Sequence, residues 1–395
     1  MKVKQIKGRL ETCVIFVIMP FLSIPFIFIQ LKRGDTKMMG GLIASLLGMI
    51  SANYIPSFSN DKARYIERFD QFYLYSYSDF IDYLKRIIRP DFIFDHFVFF
   101  FSKMEVNLNI FFFLCTAITF YSVFVFVIKV NEYYLSSFKL SISITLLVIF
   151  CFSLPNLFSG IRFTLAASIF IWVVYFFFIK RNFTKGVLLF VLTVFTHFSF
   201  SFFIPVILAV FYLPKKIDPK FLLGFSLIFL VLPKEFVTNI FEFLSLPESY
   251  SKKTNLYLTM DRQISNNAEI LSFLNVLWLY FVSYFMLFLN KNRKDKFYLF
   301  IIISMAFVNV TYTMPEVFSR YSLFLKLVIT VYFVIMFASN KIKPKYFYLF
   351  YSLSFIAFFI SYFVSRDNFS ATYVQSNFLT LWTIFSNEIT ELDFL

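Results

Sequence analysis

The chain has 395 residues, of which 59% are hydrophobic and 15% are charged, whereas soluble domains carry roughly half apolar and about a quarter charged residues. This balance excludes an ordinary water-soluble protein and indicates a helical membrane protein, because long uncharged runs recur along the chain. Lys and Arg outnumber Asp and Glu by 37 to 23, and much of this excess lies in short loops between apolar runs, which favours contact with the cytoplasm and anionic lipid over nucleic acid.

The first apolar run follows a basic start, Met1 to Arg9, and together they resemble a signal peptide. No small-residue cleavage site follows, so we expect the run to be retained. Counting all apolar runs predicts about 11 transmembrane helices in an all-α, polytopic fold that forms a single membrane domain over residues 1–395. The predicted spans are 12–31, 38–57, 109–128, 139–157, 161–179, 186–213, 220–237, 268–290, 297–314, 318–338 and 345–364.

Basic loops set the predicted orientation, because Lys and Arg favour the cytoplasmic side of a membrane. These loops are 180–185, 214–220, 291–296 and 341–345. Two long segments, near 59–108 and 238–267, then face outward and are expected to carry chemistry, together with the short corners 159–162 and 315–321 and the C-terminal tail. Within the first, residues 66–101 mix aromatic side chains with acids and Arg, which suits amphipathic surface helices or an interfacial aromatic belt.

Two of the apolar runs contain expected breaks. Run 186–213 begins and ends at loops assigned to the cytoplasm, so we expect two short helices that meet near His197 at a wet cavity. In the first run, Pro20 and Pro25 can fold the chain into a hairpin that returns the N-terminus to the cytoplasm. A single straight crossing would instead place the basic N-terminus outside, and the sequence leaves both alternatives open.

Three side chains bring a cation or an imidazole to membrane depth, where ionisable groups tend to be functional. Arg162 opens an apolar run with the small Ala166 one turn later, so an anionic headgroup can approach it, or the arginine can snorkel to the interface. His197 can accept a proton, or it can serve as a structural histidine that bonds a neighbouring helix. Arg320 has a guanidinium fork that suits phosphate oxygens, or it can form a corner salt bridge with Glu316.

Asp61 and Tyr65 lie one helical turn apart after the second predicted span, and Asp61 can cap the helix that follows. The sequence has no Asp-x-Asp pair, Walker loop or Gly-x-Ser-x-Gly nucleophile. Cys13, Cys115 and Cys151 lie inside apolar runs without metal-ligand spacing. We therefore expect no metal and no cofactor, and we expect the substrate itself to supply the energy of any reaction.

These residues resemble the Wzy-type O-antigen polymerases, especially the branch related to the exopolysaccharide protein EpsG. The likeness covers most of the chain and rests on the order and spacing of its motifs. The motifs are Asp61 with Tyr65, Ile161-Arg162 with Leu165-Ala166, His197 with Ser199, and Arg320-Tyr321. Phe163 departs from the family pattern, which has Gln after the arginine.

The resemblance implies a GT-C-like glycosyltransferase fold in the bacterial inner membrane, with the active site facing the periplasm. Its substrates would be two undecaprenyl-diphosphate-linked oligosaccharides, one of which displaces the lipid diphosphate of the other with inversion at the anomeric carbon. Tyr65 and Tyr321 are implied to contact substrate. Membrane lipid and a chain-length regulator protein are the other implied partners, and no nucleic acid is expected.

The resemblance also implies a role for each ionisable candidate. Arg162 and Arg320 would neutralise the charge of the leaving diphosphate in a poorly hydrated cavity. His197 would take the proton of the acceptor hydroxyl, and Asp61 and Glu316 are the alternative bases.

Two rival functions stay open at this point. An O-antigen ligase uses the same donor with a lipid A core acceptor, and it usually has one dominant outer loop with its own histidine. A flippase or other transporter of the lipid-linked repeat would have short loops on both sides and charges along a central path. The long outer segments and corner arginines of this chain favour an enzyme over a transporter.

Overall fold

The computed structural model describes residues 2–56, 60–87, 92–135, 142–213, 217–232, 266–289, 295–364 and 366. Within these ranges every regular element is a helix, which confirms the all-α prediction. The chain forms two compact units, each with its own internal contacts. Unit 1 draws on Met1–Val173, Thr184–Phe198 and Ser361–Leu395, and unit 2 draws on Val174–Phe183 and Ser199–Ile360.

The first eleven helices belong mainly to unit 1. They are α1 (Lys2–Ile18), α2 (Ile24–Lys32), α3 (Thr36–Asn53), α4 (Asp61–Leu74), α5 (Tyr77–Ile87), α6 (Phe92–Lys103), α7 (Leu108–Tyr134), α8 (Ile142–Phe150), α9 (Leu154–Ser159), α10 (Ile161–Val174) and α11 (Phe183–Thr196). Unit 2 contains a π-helical continuation of α10 and a set of later helices. These are the π-helix Tyr175–Ile179, α12 (Ile204–Tyr212), α13 (Pro219–Ser226), α14 (Asn266–Leu289), α15 (Lys296–Val310), α16 (Pro315–Ala338) and α17 (Pro344–Val364).

Four helical stretches of the described residues are long and apolar enough to cross a membrane. They are Leu108–Tyr134, Ile161–Ile179, Val317–Ala338 and Pro344–Phe363. Several other predicted spans coincide with shorter apolar helices, such as Lys296–Val310. The protein is therefore a multi-pass membrane protein. The predicted outer segment 238–267 lies outside the described residues as far as residue 265.

The first apolar run forms a helical hairpin, which decides between the two alternatives that the sequence leaves open. α1 ends before Pro20, and α2 begins after a 3-10 turn. α1 returns along α2, because Arg9 forms an ion pair with Asp35 beyond the far end of α2, and a Cβ atom on Gly8 would collide with the Gln30 side chain. The basic N-terminus and the turn between α2 and α3 therefore lie at the same end of this hairpin.

The apolar run 186–213 is broken at the predicted position. α11 ends at Thr196, His197 is non-helical, and a 3-10 helix over Phe198–Phe203 leads into α12. Pro205 lies in the first turn of α12, where its missing N–H group leaves no helical bond unmade. The histidine that the sequence places at a cavity thus lies at the junction of two short helices.

α3 packs closely along α7 in unit 1. A Cβ atom on Gly48 would lie 2.8 Å from the carbonyl oxygen of Phe113, so only glycine permits this approach of the two backbones. Nearby, the Thr116 hydroxyl donates a hydrogen bond of 2.8 Å to the Ser51 hydroxyl across the same interface. The C-terminal half of α3 is thereby fixed against a membrane-length helix.

The amphipathic stretch predicted over 66–101 folds as α4, α5 and α6. Their apolar faces share one aromatic cluster, in which Phe80 and Phe99 stack with ring centroids 4.2 Å apart. Ile161, the first residue of α10, is buried in the same cluster. Other aromatic side chains of these helices are exposed, including Tyr73 and Tyr77, as an interfacial belt requires. The cluster holds the beginning of α10 against α4.

Candidate functional site

Arg162 is the second residue of α10 and marks the beginning of a membrane-length apolar helix. Its side chain is partly buried, and its Nε and Nη1 atoms are shielded from solvent. The buried Ile161 next to it anchors this end of α10 in the aromatic cluster of α4 to α6. A guanidinium held in this way keeps its charge in poorly hydrated surroundings, where charge acts more strongly than in water.

Tyr65 of α4 lies close to that guanidinium. Its side chain is 2% exposed, and its ring packs against Phe94 of α6 with centroids 5.0 Å apart. Burial raises the pKa of Tyr65 to about 12, while the neighbouring Arg162 guanidinium lowers this pKa and the Asp61 carboxylate raises it. At neutral pH the Tyr65 hydroxyl is therefore protonated and can donate a hydrogen bond, so it does not act as a base.

Asp61 is the first residue of α4, and it forms an ion pair with Arg64 one turn later. Asn60 occupies the capping position, so Asp61 stabilises the helix from its first turn, through the positive end of the helix dipole. The Asp61 side chain is 19% exposed. Its carboxylate therefore remains accessible to a ligand at the N-terminal end of α4.

His197 is buried, and its ring forms a T-shaped contact with the Phe163 ring, with centroids 5.4 Å apart. Two residues earlier, Phe195 packs against Phe92 at the beginning of α6, with centroids 5.0 Å apart. Together with the Phe94 contact of Tyr65, these contacts connect the ends of α4, α6, α10 and α11. Unit 1 thus brings Asp61, Tyr65, Arg162 and His197, which are distant in the sequence, into one region.

A buried ion pair supports this region, and sequence reasoning missed it. The Asp95 carboxylate of α6 is fully buried, and its Oδ1 atom lies 3.4 Å from the Arg68 Nη1 atom of α4. The Arg68 guanidinium also lies over the Tyr65 ring, 5.8 Å from its centroid. The available sequence signal is that Asp61, Tyr65 and Arg68 share one face of a helix. Within the described ranges no group of three or more His, Cys, Asp or Glu side chains could hold a metal ion.

Replacing Asp95 by alanine is expected to destabilise unit 1. The Arg68 guanidinium, with its side chain 17% exposed, would lose its carboxylate partner, and such losses lower the free energy of unfolding by about 3–5 kcal/mol. Thermal unfolding in detergent should show a lower midpoint. Asp82→Ala is the matched control, because the Asp82–Lys85 pair is exposed and should contribute less than about 1 kcal/mol. Equal midpoints for the two variants would contradict the structural role of Asp95.

Arg320 and Tyr321 belong to unit 2, in the second turn of α16. Arg320 is partly buried, whereas Tyr321 is 1% exposed. The Tyr321 hydroxyl donates a hydrogen bond of 2.7 Å to the carbonyl oxygen of Ser199, and the Tyr321 ring packs edge-on against Phe203. Glu316 lies in the first turn of α16, but its side chain lies outside what the structure describes. The contact of Tyr321 with Ser199 thus connects the Arg320-Tyr321 motif with the motif of His197 and Ser199.

Replacing Tyr321 by phenylalanine removes only the hydroxyl that bonds the Ser199 carbonyl. We expect the free energy of unfolding to fall by about 0.5–1.5 kcal/mol, as for one buried hydrogen bond. Tyr212→Phe is the control, because Tyr212 is 79% exposed. A midpoint for Tyr321→Phe that matches the Tyr212→Phe control in thermal unfolding would show that this bond does not stabilise unit 2.

Comparison with known proteins supports an assignment at the level of the family. No curated protein and no solved structure matches the chain. The model of the EpsG family matches residues 37–376, from the first turn of α3 to beyond the end of α17. This range includes every candidate site residue named above and most of the chain. The protein therefore belongs to the EpsG family, a family of polysaccharide polymerase-like membrane proteins.

Proposed function

We propose that the protein is a polysaccharide polymerase of the inner membrane. It would transfer a growing glycan from undecaprenyl diphosphate onto a sugar hydroxyl of another undecaprenyl-diphosphate-linked repeat, at the periplasmic face. The observation that carries this proposal is the convergence in unit 1 of a cation, a protonated phenol, a carboxylate and an imidazole. These groups belong to Arg162, Tyr65, Asp61 and His197.

The proposed step is a single displacement at the anomeric carbon of the donor sugar. The acceptor hydroxyl oxygen forms the new glycosidic bond from the side opposite the diphosphate, and the old bond from carbon to oxygen breaks. Its electron pair leaves with the lipid diphosphate. The hydroxyl proton passes to the imidazole of His197, with Asp61 and Glu316 as alternative bases. One direct displacement inverts the configuration of the anomeric carbon.

The arginines supply the electrostatic part of the mechanism. Charge develops on the leaving diphosphate in the transition state, and a pre-positioned guanidinium in a poorly hydrated site lowers the barrier without a metal. Arg162 fits this role by its partial burial at the end of a membrane-length helix. We also assign Arg320 to diphosphate binding, and Tyr65 and Tyr321 to substrate contacts, within a GT-C-like arrangement of about 11 spans.

Reconstitution of the purified protein in liposomes with a fluorescent lipid-linked repeat tests the proposal. A polymerase should convert the single repeat into a ladder of longer glycans and release one lipid diphosphate for each new bond. A flippase would move the repeat across the bilayer and leave its length unchanged, which would contradict the proposal. A ligase would extend nothing until a lipid A core acceptor is added, and that result would also contradict it.

A further inference from the structure

Lys62, between the candidate base Asp61 and the aromatic cluster, is the most deeply buried cation of the described residues. Its side chain is 0% exposed, although lysine is rarely buried in full. Its ammonium group donates hydrogen bonds to the carbonyl oxygens of Ser51, Ala52 and Tyr54, at 2.7, 3.1 and 2.7 Å. It also lies 4.5 Å from the centroid of the Phe112 ring. All three N–H groups of the ammonium thus have a carbonyl partner.

The three acceptors are backbone groups at the C-terminal end of α3. Carbonyls in the last turn of a helix lack the usual N–H partner four residues later, although the Tyr54 N–H also donates to the Ser51 oxygen, at 3.3 Å, and this end carries the negative pole of the helix dipole. Burial lowers the pKa of Lys62 well below its usual range. Three carbonyls, the helix end and the Phe112 face oppose that shift, since each favours the charged form.

The hydrogen bonds of Lys62 join two consecutive helices, because of where Lys62 lies along the chain. Lys62 is the second residue of α4, whereas its acceptors end α3. α3 is itself fixed to α7 by the close approach at Gly48 and by the bond between Thr116 and Ser51. The ammonium therefore connects the beginning of α4 directly to the pair formed by α3 and α7, across the connection between the two helices.

We infer that Lys62 is a positioning residue, whose buried ammonium fixes the first turn of α4 so that Tyr65 lies beside Arg162 and Asp61 lies one turn before Tyr65. The inference rests on the proposed function. Lys62 touches no substrate in this account. It acts through its neighbours in α4, because a shift of α4 against α3 would displace Asp61 and would move Tyr65 away from the guanidinium.

The test uses full-length protein with Lys62 replaced by methionine, which has a similar length but no N–H donor. We expect kcat for chain extension to fall by about 10–10²-fold, as misplaced catalytic groups do, with a smaller change in the KM for the lipid-linked repeat. Lys62→Gln, which keeps a polar donor, should be intermediate and serves if the methionine variant does not accumulate. Lys85→Met is the matched control, because Lys85 is exposed, and it should keep the wild-type kcat.

The reactivity of the native cysteines shows whether the structural change caused by Lys62→Met is confined to the contact between α3 and α4. Cys115 is buried near Phe112 in the aromatic cluster, and Cys151 is buried elsewhere in unit 1. In a Cys13→Ser background, Lys62→Met should make Cys115 react faster with a small maleimide and leave Cys151 slow. Faster reaction of both cysteines would indicate general loosening and overturn the local role.

Two further outcomes separate this inference from the proposed function. An unchanged kcat together with a reactive Cys115 would show that the Lys62 contact exists but does not position the site. No chain extension by the wild-type protein would refute the proposed function, and with it any positioning role. The thiol reactivity would still show whether Lys62 fixes α4 to α3.

Discussion

Replacing Arg162 by alanine is expected to lower kcat/KM for chain extension by about 10²–10³-fold, the loss typical of removing one group that stabilises transition-state charge. The physical reason is the place of its guanidinium, which is partly buried at the beginning of α10 and close to Tyr65. The rate should be measured as glycan bonds formed per minute by purified protein in liposomes. Arg162→Lys should recover part of this loss, because it restores the charge but not the fork.

The control for this experiment is Lys85→Ala. Lys85 is a cation of the same unit, but its side chain is 72% exposed in a surface pair with Asp82, so its removal should leave the rate unchanged. If Arg162→Ala keeps the wild-type rate at a normal protein level, Arg162 takes no part in the mechanism. An equal loss in both variants would point to general cation dependence instead.

Replacing His197 by alanine is expected to lower kcat by about 10²–10⁴-fold, the usual contribution of a general base. His197 is buried at the break between α11 and the following 3-10 helix, beside Phe163. KM for the lipid-linked repeat should change less than kcat, because the imidazole is expected to act on the acceptor proton in the transition state.

The other histidine of the chain provides the control for His197. His96 lies within α6, and its Nδ1 atom bonds the carbonyl oxygen of Phe92 at 2.8 Å. His96→Ala should therefore keep a near wild-type kcat. If His197→Ala extends chains as fast as His96→Ala, the base must be another residue, and Asp61→Asn becomes the next variant to measure.

The breaks in the apolar runs could be predicted from the sequence, because their signals are local. Basic loops at both ends of 186–213 predicted two short helices in place of one crossing, and the helix is broken at His197. Pro20 indicated a possible hairpin in the first run, and α2 does run back along α1. The choice between a hairpin and a straight crossing could not be made from the sequence, because it depends on the contact of Arg9 with Asp35.

The residues of the candidate site could be predicted from the sequence, but their arrangement in space could not. Arg162 and His197 stand out because ionisable groups are costly at membrane depth. Contacts of Phe163, Phe92 and the neighbours of Tyr65 connect these two residues through four helices. Because these helices are far apart in the sequence, no local sequence pattern predicts the contacts.

Lys62 and the Arg68–Asp95 pair could not be predicted for a related reason. Charged residues in a polar, amphipathic segment are normally solvated, and the sequence of α4 has the pattern of such a segment. Their burial arises only when α4 packs between the end of α3 and α6. The sequence therefore suggests surface charges where the folded chain has buried, bonded ones.

The central claim of the proposed function is that Arg162 and Arg320 each act on lipid diphosphate from the outer face of the membrane. Its most direct test is thiol labelling of single cysteines at positions 162 and 320, in a chain whose native Cys13, Cys115 and Cys151 are replaced by alanine. We predict that a membrane-impermeant maleimide labels both positions from outside intact cells and that the lipid-linked repeat slows both reactions. Labelling of either position only after the reagent enters the cytoplasm would contradict the claim.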